Sequence, residues 1–238
     1  MEFSDMREKV CCCLECLFEE WFEKQKNETV DSAKKTFPIK TKEKIRPDYQ
    51  YFSSSFCPDG YSSLAGDVQP SEQPKIEVLF VLKESHLEEN EKGELQPEIK
   101  GTFWFNELIN DNTRKKYGCG IRDVLIKLKE KSRIEGDISD DLRFGYMNIN
   151  KRGGYGSTNM TQLKNYAEEY GELIRRQIDI MHPKIIVCMG CYGIVRDTVF
   201  KGEKTSYQIL DFYHPSYSGF KKKLKNSNDR DTNYEKNR

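Results

Sequence analysis

No charge of one sign dominates this sequence: Lys plus Arg and Asp plus Glu each number 39 among 238 residues. A molecule-wide field that steers the chain to nucleic acid or to a membrane is thereby excluded, and any anion-binding surface has to be a local patch. Long hydrophobic runs are missing as well. No apolar stretch approaches the ~18 residues of a membrane span, and charged residues make up 33% of the chain. The first residues lack the positive-then-apolar layout of a secretory signal. Neither G-x-G-x-x-G nor a P-loop occurs, which argues against an ordinary nucleotide cofactor. No internal repeat is visible. The expectation is a soluble, cytoplasmic, monomeric protein with one sizeable core and no membrane partner.

Eight cysteines are present, but they form no disulfide framework. Cys11, Cys12, Cys13 and Cys16 sit on a helical pattern, and without a secretory signal they are expected to be reduced thiols. The C-x-x-C of Cys188 and Cys191 raises a zinc reading. A zinc nucleobase deaminase wants H-x-E upstream, with the first thiolate of its C-x-x-C near a helix start. Here the upstream order is Glu84-Ser85-His86, reversed, and Cys188 lies inside an apolar run. No metal and no cofactor are expected.

What is present is a strand that organises the rest. Residues 76–82 read I-E-V-L-F-V-L, the composition of a strand buried on both faces of a parallel sheet. It ends at Lys83-Glu84-Ser85-His86. In open α/β sheets, ligands bind outside the carboxyl ends of the strands, so a carboxylate there is a site candidate.

Upstream, residues 4–26 predict an amphipathic helix, with Val10, Leu14, Leu17, Trp21 and Phe22 on one stripe and Ser4 as its N-cap. Residues 27–47 are polar and lysine-rich and read as a surface loop. Residues 51–63 mix Ser, Gly and aromatics, and residues 69–74 read as a linker. Downstream, residues 87–100 read as a charged loop, and 105–110 and 120–131 as helices. Residues 143–149 read as a strand and 151–159 as a flexible basic loop. A long helix over 161–181 is stopped by Pro183, and a strand over 184–189 turns at Gly190 into a helix through Phe200. The last strand, 207–212, delivers Tyr213-His214-Pro215-Ser216. The polar residues 221–238 carry too little apolar surface to order themselves. Strands alternating with helices predict a three-layer α/β/α domain around a central, mostly parallel four-stranded sheet, preceded by the N-terminal amphipathic helix.

Three of these strand ends carry Glu84, Asn148 and His214. On parallel neighbours they would converge over one edge of the sheet.

Here the sequence resembles the uracil-DNA glycosylase superfamily, above all its iron–sulfur branch. That branch reads V-x-F-V-G-E-A-P-G at the first strand end, and related members read G-Q-D-P-Y-H; this chain has V-L-F-V-L-K-E-S-H. The branch continues with N-x-x-K-C-R-P-P, a long helix and R-P-x-x-I-V-x-L-G. This chain has Asn148-Ile-Asn-Lys151-Arg152-Gly-Gly, a long helix and His182-Pro183-Lys-Ile-Ile-Val-Cys-Met-Gly190. It closes on His214-Pro-Ser216, like the family's H-P-S loop. The likeness covers residues 76–219 and implies a glycosylase-like α/β domain over 76–220. Residues 1–75 are expected to pack on that domain, and 221–238 to form a tail.

The resemblance implies roles. Glu84 falls where the family holds its activating carboxylate, and His214 where an imidazole meets the negative charge that develops on the departing base. Asn148 matches the amide that reads a flipped pyrimidine, with His86, Phe103 and Phe105 around the base and Trp104 as another stacking candidate. Lys151, Arg152, Ser216 and Tyr217 match groups that hold DNA phosphates. The function implied is hydrolysis of the N-glycosidic bond of a flipped-out uracil or modified pyrimidine in DNA. The alternative is a catalytically altered DNA-binding module of the same fold. Leu82 and Ser85 depart from the family's Gly and Pro, and His86 takes the position that in related enzymes guards the pyrimidine 5-position, so the pocket need not suit plain uracil. A hypermodified base of foreign DNA, in antiviral defence, fits those departures as well. Arg152 replaces a cluster-binding Cys, so no iron–sulfur cluster is expected even though Cys13 and Cys16 could supply an N-terminal pair.

Overall fold

The computed structural model describes residues 13–36, 56–63, 73–86, 115–139, 141–154, 157–215 and 217–225. The stretches expected to be a loop at 87–100 and a helix at 105–110 lie outside them, as do residues 1–12 and 226–238.

Helix α1, Leu14–Lys26, realises the described part of the N-terminal amphipathic stripe. Leu14, Leu17 and Trp21 are fully buried at helical spacing. A short helix α2, Val30–Thr36, follows inside the segment expected to be a loop. Its polar surface hides it from a periodicity argument, yet Ala33 and Thr36 are buried.

The sheet has five strands rather than four: β1 Gly60–Ser63, β2 Val78–His86, β3 Arg143–Gly154, β4 Ile185–Met189 and β5 Gln208–Phe212. They lie in the order β1-β3-β2-β4-β5. Strands β3, β2, β4 and β5 are mutually parallel, and the unexpected β1 runs antiparallel along the edge of β3. Gly-Tyr-Ser-Ser offers no apolar alternation to predict a strand, but all four residues are buried.

Helices α3, Lys115–Glu130, and α4, Met160–Met181, supply the crossovers from β2 to β3 and from β3 to β4. Alternation along β2 sorts the core. Val78, Phe80 and Leu82 pack with Ile121, Val124 and Leu125 of α3. Leu79 and Val81 pack with α1 and with Tyr166, Tyr170 and Ile174 of α4. The strands therefore read as nearly continuous apolar runs because both faces are covered. After β3 the chain crosses to the far side of β2, so the connections leave β2 in opposite directions. That reversal opens a crevice at the carboxyl ends of β2 and β4, where such sheets hold their ligands.

The helix expected to run to Phe200 is instead one turn, α5, Tyr192–Ile194, which continues as a π-helix over Val195–Val199. Residues 221–225 of the expected unstructured tail instead continue from Phe220 as the short helix α6, Phe220–Lys225, anchored by buried Phe220.

Candidate functional site at the carboxyl edge of the sheet

Glu84 lies near the end of β2, half-buried, in register with Asn150 of β3. Burial pushes its carboxyl up to about 7, while a hydrogen bond from Thr158 and the charge of Lys83 pull the other way. The carboxyl lies so close to the β3 backbone that a Cβ on Gly154 would come within 2.8 Å of Glu84 Cδ. Glycine is required there for the close approach. Sequence reasoning does not reach Thr158 or Gly154; the G-G pair after Arg152 is the one signal that points to them.

Asn148 is 1% exposed and sits in register with Leu82. Two residues separate it from the Glu84 level, about 7 Å along the strands at ~3.3 Å per residue. Its Nδ2 donates to Ser85 Oγ at 3.2 Å and to Tyr146 Oη at 3.4 Å. Its Oδ1 is buried without a hydrogen-bond partner among the described residues. Ser85 and Tyr146 therefore orient this amide.

Lys151 and Arg152 correct the expectation most sharply. They belong to β3, not to a flexible basic loop, and both are fully buried. The pairing jumps from Glu84↔Asn150 to Ser85↔Gly153, so these two residues form a bulge on β3. Lys151 Nζ donates to Asp59 Oδ1 at 2.6 Å and to the Asn148 carbonyl at 2.9 Å. Asp59 Oδ2 accepts the Asn148 N–H at 2.6 Å, and Oδ1 also accepts from Gln177 Nε2 at 2.7 Å. Burial pushes Asp59 up and Lys151 down, and their mutual attraction opposes both shifts. Arg152 pairs with Glu28, which follows α1, and also bonds Thr36 of α2. Cations committed to interior carboxylates do not reach a phosphate. Their role is to hold the end of β3, and with it Asn148.

His214 follows β5 and lines a pocket of about 290 Å³ with Lys83, Gly190, Tyr213 and Tyr217. Burial lowers its imidazole to about 4, and the charge of Lys83 adds to the shift, so the ring is neutral near pH 7. Tyr213 and Tyr217 stack at 5.3 Å, and Lys223 Nζ sits 5.5 Å from the Tyr213 ring centroid. Tyr217 is 45% exposed. A wider cleft of about 560 Å³ lies beyond Gly190, lined in part by Lys164, Tyr192, Asp197 and Asp211.

Glu84 and Asn148 thus lie two residues apart in level on adjacent strands, and His214 stands across β4, with Lys83 acting electrostatically on both Glu84 and His214. Phe103, Trp104, Phe105, Ser216 and the side chain of His86 lie outside the described residues. Cys188 and Cys191 are both buried. The Cys191 thiol donates to the Val81 carbonyl at 3.2 Å. Burial raises the Cys188 thiol well above its ordinary range, the reverse of what a thiolate metal ligand needs. Compared with protein-family models, curated proteins and solved structures, the chain matches none.

Proposed function

We propose that this protein is a DNA glycosylase that hydrolyses the N-glycosidic bond of a flipped-out pyrimidine, uracil or a modified base, and leaves an abasic site. The observation that carries the reading is the pair of opposed shifts along one parallel-sheet edge: a carboxyl raised to about 7 and an imidazole lowered to about 4. Titratable groups pushed apart in this way are a signature of assigned acid–base roles. As a carboxylate, Glu84 stabilises the positive charge that develops on the sugar and orients the attacking water. Neutral His214 donates a hydrogen bond to the base as negative charge builds there. The family likeness adds a three-layer arrangement and the H-P-S loop to the same reading.

Asn148 gives the base pocket its polarity. Because Nδ2 donates within the protein, Oδ1 is the atom left to accept. The base is therefore read through an N–H, either the imino group of a uracil-like edge or the exocyclic amine of a cytosine-like one. With Lys151 and Arg152 turned inward, backbone phosphates fall to the exposed lysines of α6, Lys221, Lys222 and Lys225, beside Tyr217.

The test is to incubate the protein with DNAs carrying uracil, cytosine and bulkier pyrimidines and to look for released base by mass. Glu84→Gln is expected to retain the fold and DNA binding and to lose roughly a hundredfold in release. The wild-type rate is expected to climb to a plateau above about pH 7, the midpoint of the Glu84 carboxyl. Release that is indifferent to Glu84→Gln would sink the assignment.

A further inference from the structure

The glycosylase reading gives Lys83 no role, yet Lys83 reaches into the pocket of about 290 Å³ beside His214. Gly190 makes room for it. This residue turns the chain after β4 at φ +80°, and a Cβ there would lie 3.1 Å from Lys83 Cε, 3.6 Å from Nζ and 3.9 Å from His214 Cβ. Three strands thus build one small chamber: β2 contributes a cation, β4 ends in the glycine that leaves space for it, and β5 leads to an imidazole. The polar contributors are Lys83, His214 and the phenols of Tyr213 and Tyr217, all hydrogen-bond donors, and no carboxylate lines the pocket among the described residues. Two further charges are described near it: Lys223, over the Tyr213 ring, and the Glu84 carboxyl, which feels Lys83 from outside the lining. Such a lining suits an anion.

We propose that Lys83 and His214 together form an anion-binding site, in which Lys83 supplies the charge and His214 a neutral donor. In the context of the glycosylase reading, on which the biological identity of the ligand rests, the anion is the departing pyrimidine or a DNA phosphate. Both present negatively charged acceptors to an ammonium group. A positive neighbour also keeps the imidazole unprotonated, and a second cation there would oppose Lys83.

The experiment follows the His214 side chain by NMR, one of three histidines in the chain, in the full-length protein without DNA. Two probes are titrated separately: inorganic phosphate and barbituric acid, a pyrimidine that is anionic at neutral pH. At least one probe is expected to shift the His214 resonance saturably, with binding weakened about tenfold or more in Lys83→Met and largely restored in Lys83→Arg. A response to barbiturate identifies the departing base as ligand, and a response to phosphate identifies the DNA backbone. In Lys83→Met without probe, the His214 titration midpoint is expected to rise from about 4. Two results would overturn the proposal: no response to either probe in a folded wild-type protein, or equal responses in wild type and Lys83→Met. Neither measurement involves base release, so failure of the glycosylase reading and failure of this site appear separately.

Discussion

Glu84 and His214 make opposite demands on pH. The Glu84 carboxyl titrates near 7 when folded against an ordinary value of 4.5. Between those values the folded chain binds more protons than the unfolded one, so this group's contribution to stability falls as pH rises from about 4.5 to 7. His214 runs from about 4 when folded to 6.5 when unfolded, so its contribution grows as pH rises through that window. Replacing Glu84 by Gln removes only the first effect. Chemical denaturation is expected to show Glu84→Gln more stable than wild type by about 2–3 kcal/mol at pH 8 and equal to it near pH 4. A gain of the same size at both pH values would mean that the carboxyl is not held in a buried setting.

Two neighbours refine the residue-scale account. Gly154→Ala forces the Glu84 carboxyl aside because the added carbon would stand 2.8 Å from it. Misplacement of a catalytic group by an ångström costs roughly tenfold to a hundredfold in rate, so base release is expected to drop by that factor with little change in DNA affinity. Asn148→Asp changes the chemistry instead of the position. A carboxylate has no N–H to give Ser85 and Tyr146, so the acceptor that faces the base loses its fixed orientation, and release of uracil-like and cytosine-like bases alike is expected to fall far more than binding does. An unaltered release rate would remove Asn148 from base reading.

At the scale of elements, β3 is held at its end by charges from distant parts of the chain. Lys151 meets Asp59 from 92 residues away, and Arg152 meets Glu28 from 124 residues away. Breaking one partner of a buried pair strands the other charge, so Lys151→Met is expected to cost about 3–5 kcal/mol in urea unfolding. Combining it with Asp59→Asn should recover much of that loss; a double variant as unstable as the sum of its parts would mean the two groups act independently.

These distances explain what the sequence disclosed and what it concealed. Strands β2 and β4 and helix α4 were legible because their signal is local: apolar runs such as Val-Leu-Phe-Val-Leu, and Leu163, Tyr166, Tyr170 and Ile174 at helical spacing. The place of Glu84 near the end of β2 followed from the same local signal, whereas Asn148, expected at a strand end, lies in the middle of β3. The last turn of β3 was not legible, since Lys-Arg-Gly-Gly reads as a solvated loop until Asp59 and Glu28 are known to face it. β1 and α2 were concealed for the same reason, being polar segments buried by partners elsewhere. Lys83 and Gly190 needed three strands to be brought together before their relation appeared.

For the whole molecule, zero net charge means that the proposed DNA binding would depend on where the lysines cluster. Lys221, Lys222 and Lys225 on α6 are exposed beside Tyr217. Every phosphate that a lysine neutralises adds about 0.9 to the slope of log affinity against log salt. The triple alanine variant is therefore expected to flatten that slope by about 2–3 and to weaken binding to all sequences alike. An unchanged slope would move the backbone track elsewhere, with Lys164 at the wider cleft as the next candidate.

The docking of α1 also bears on how the chain is born. Trp21 donates its indole N–H to Tyr166 Oη at 3.0 Å, across 145 residues of sequence, and Arg152 pairs with Glu28 on the segment that follows α1. During synthesis at ~5–20 residues per second, the first helix therefore emerges roughly 10–30 s before its partner residues on α4. Through that interval Leu14, Leu17 and Trp21 lack the α4 face that completes their cover, with only nearer residues such as Phe56 and Tyr61 to pack on. The apolar stripe that closes the finished molecule is, on the ribosome, an exposed sticky segment, and holding it apart from other nascent chains is a task for chaperones rather than for the fold.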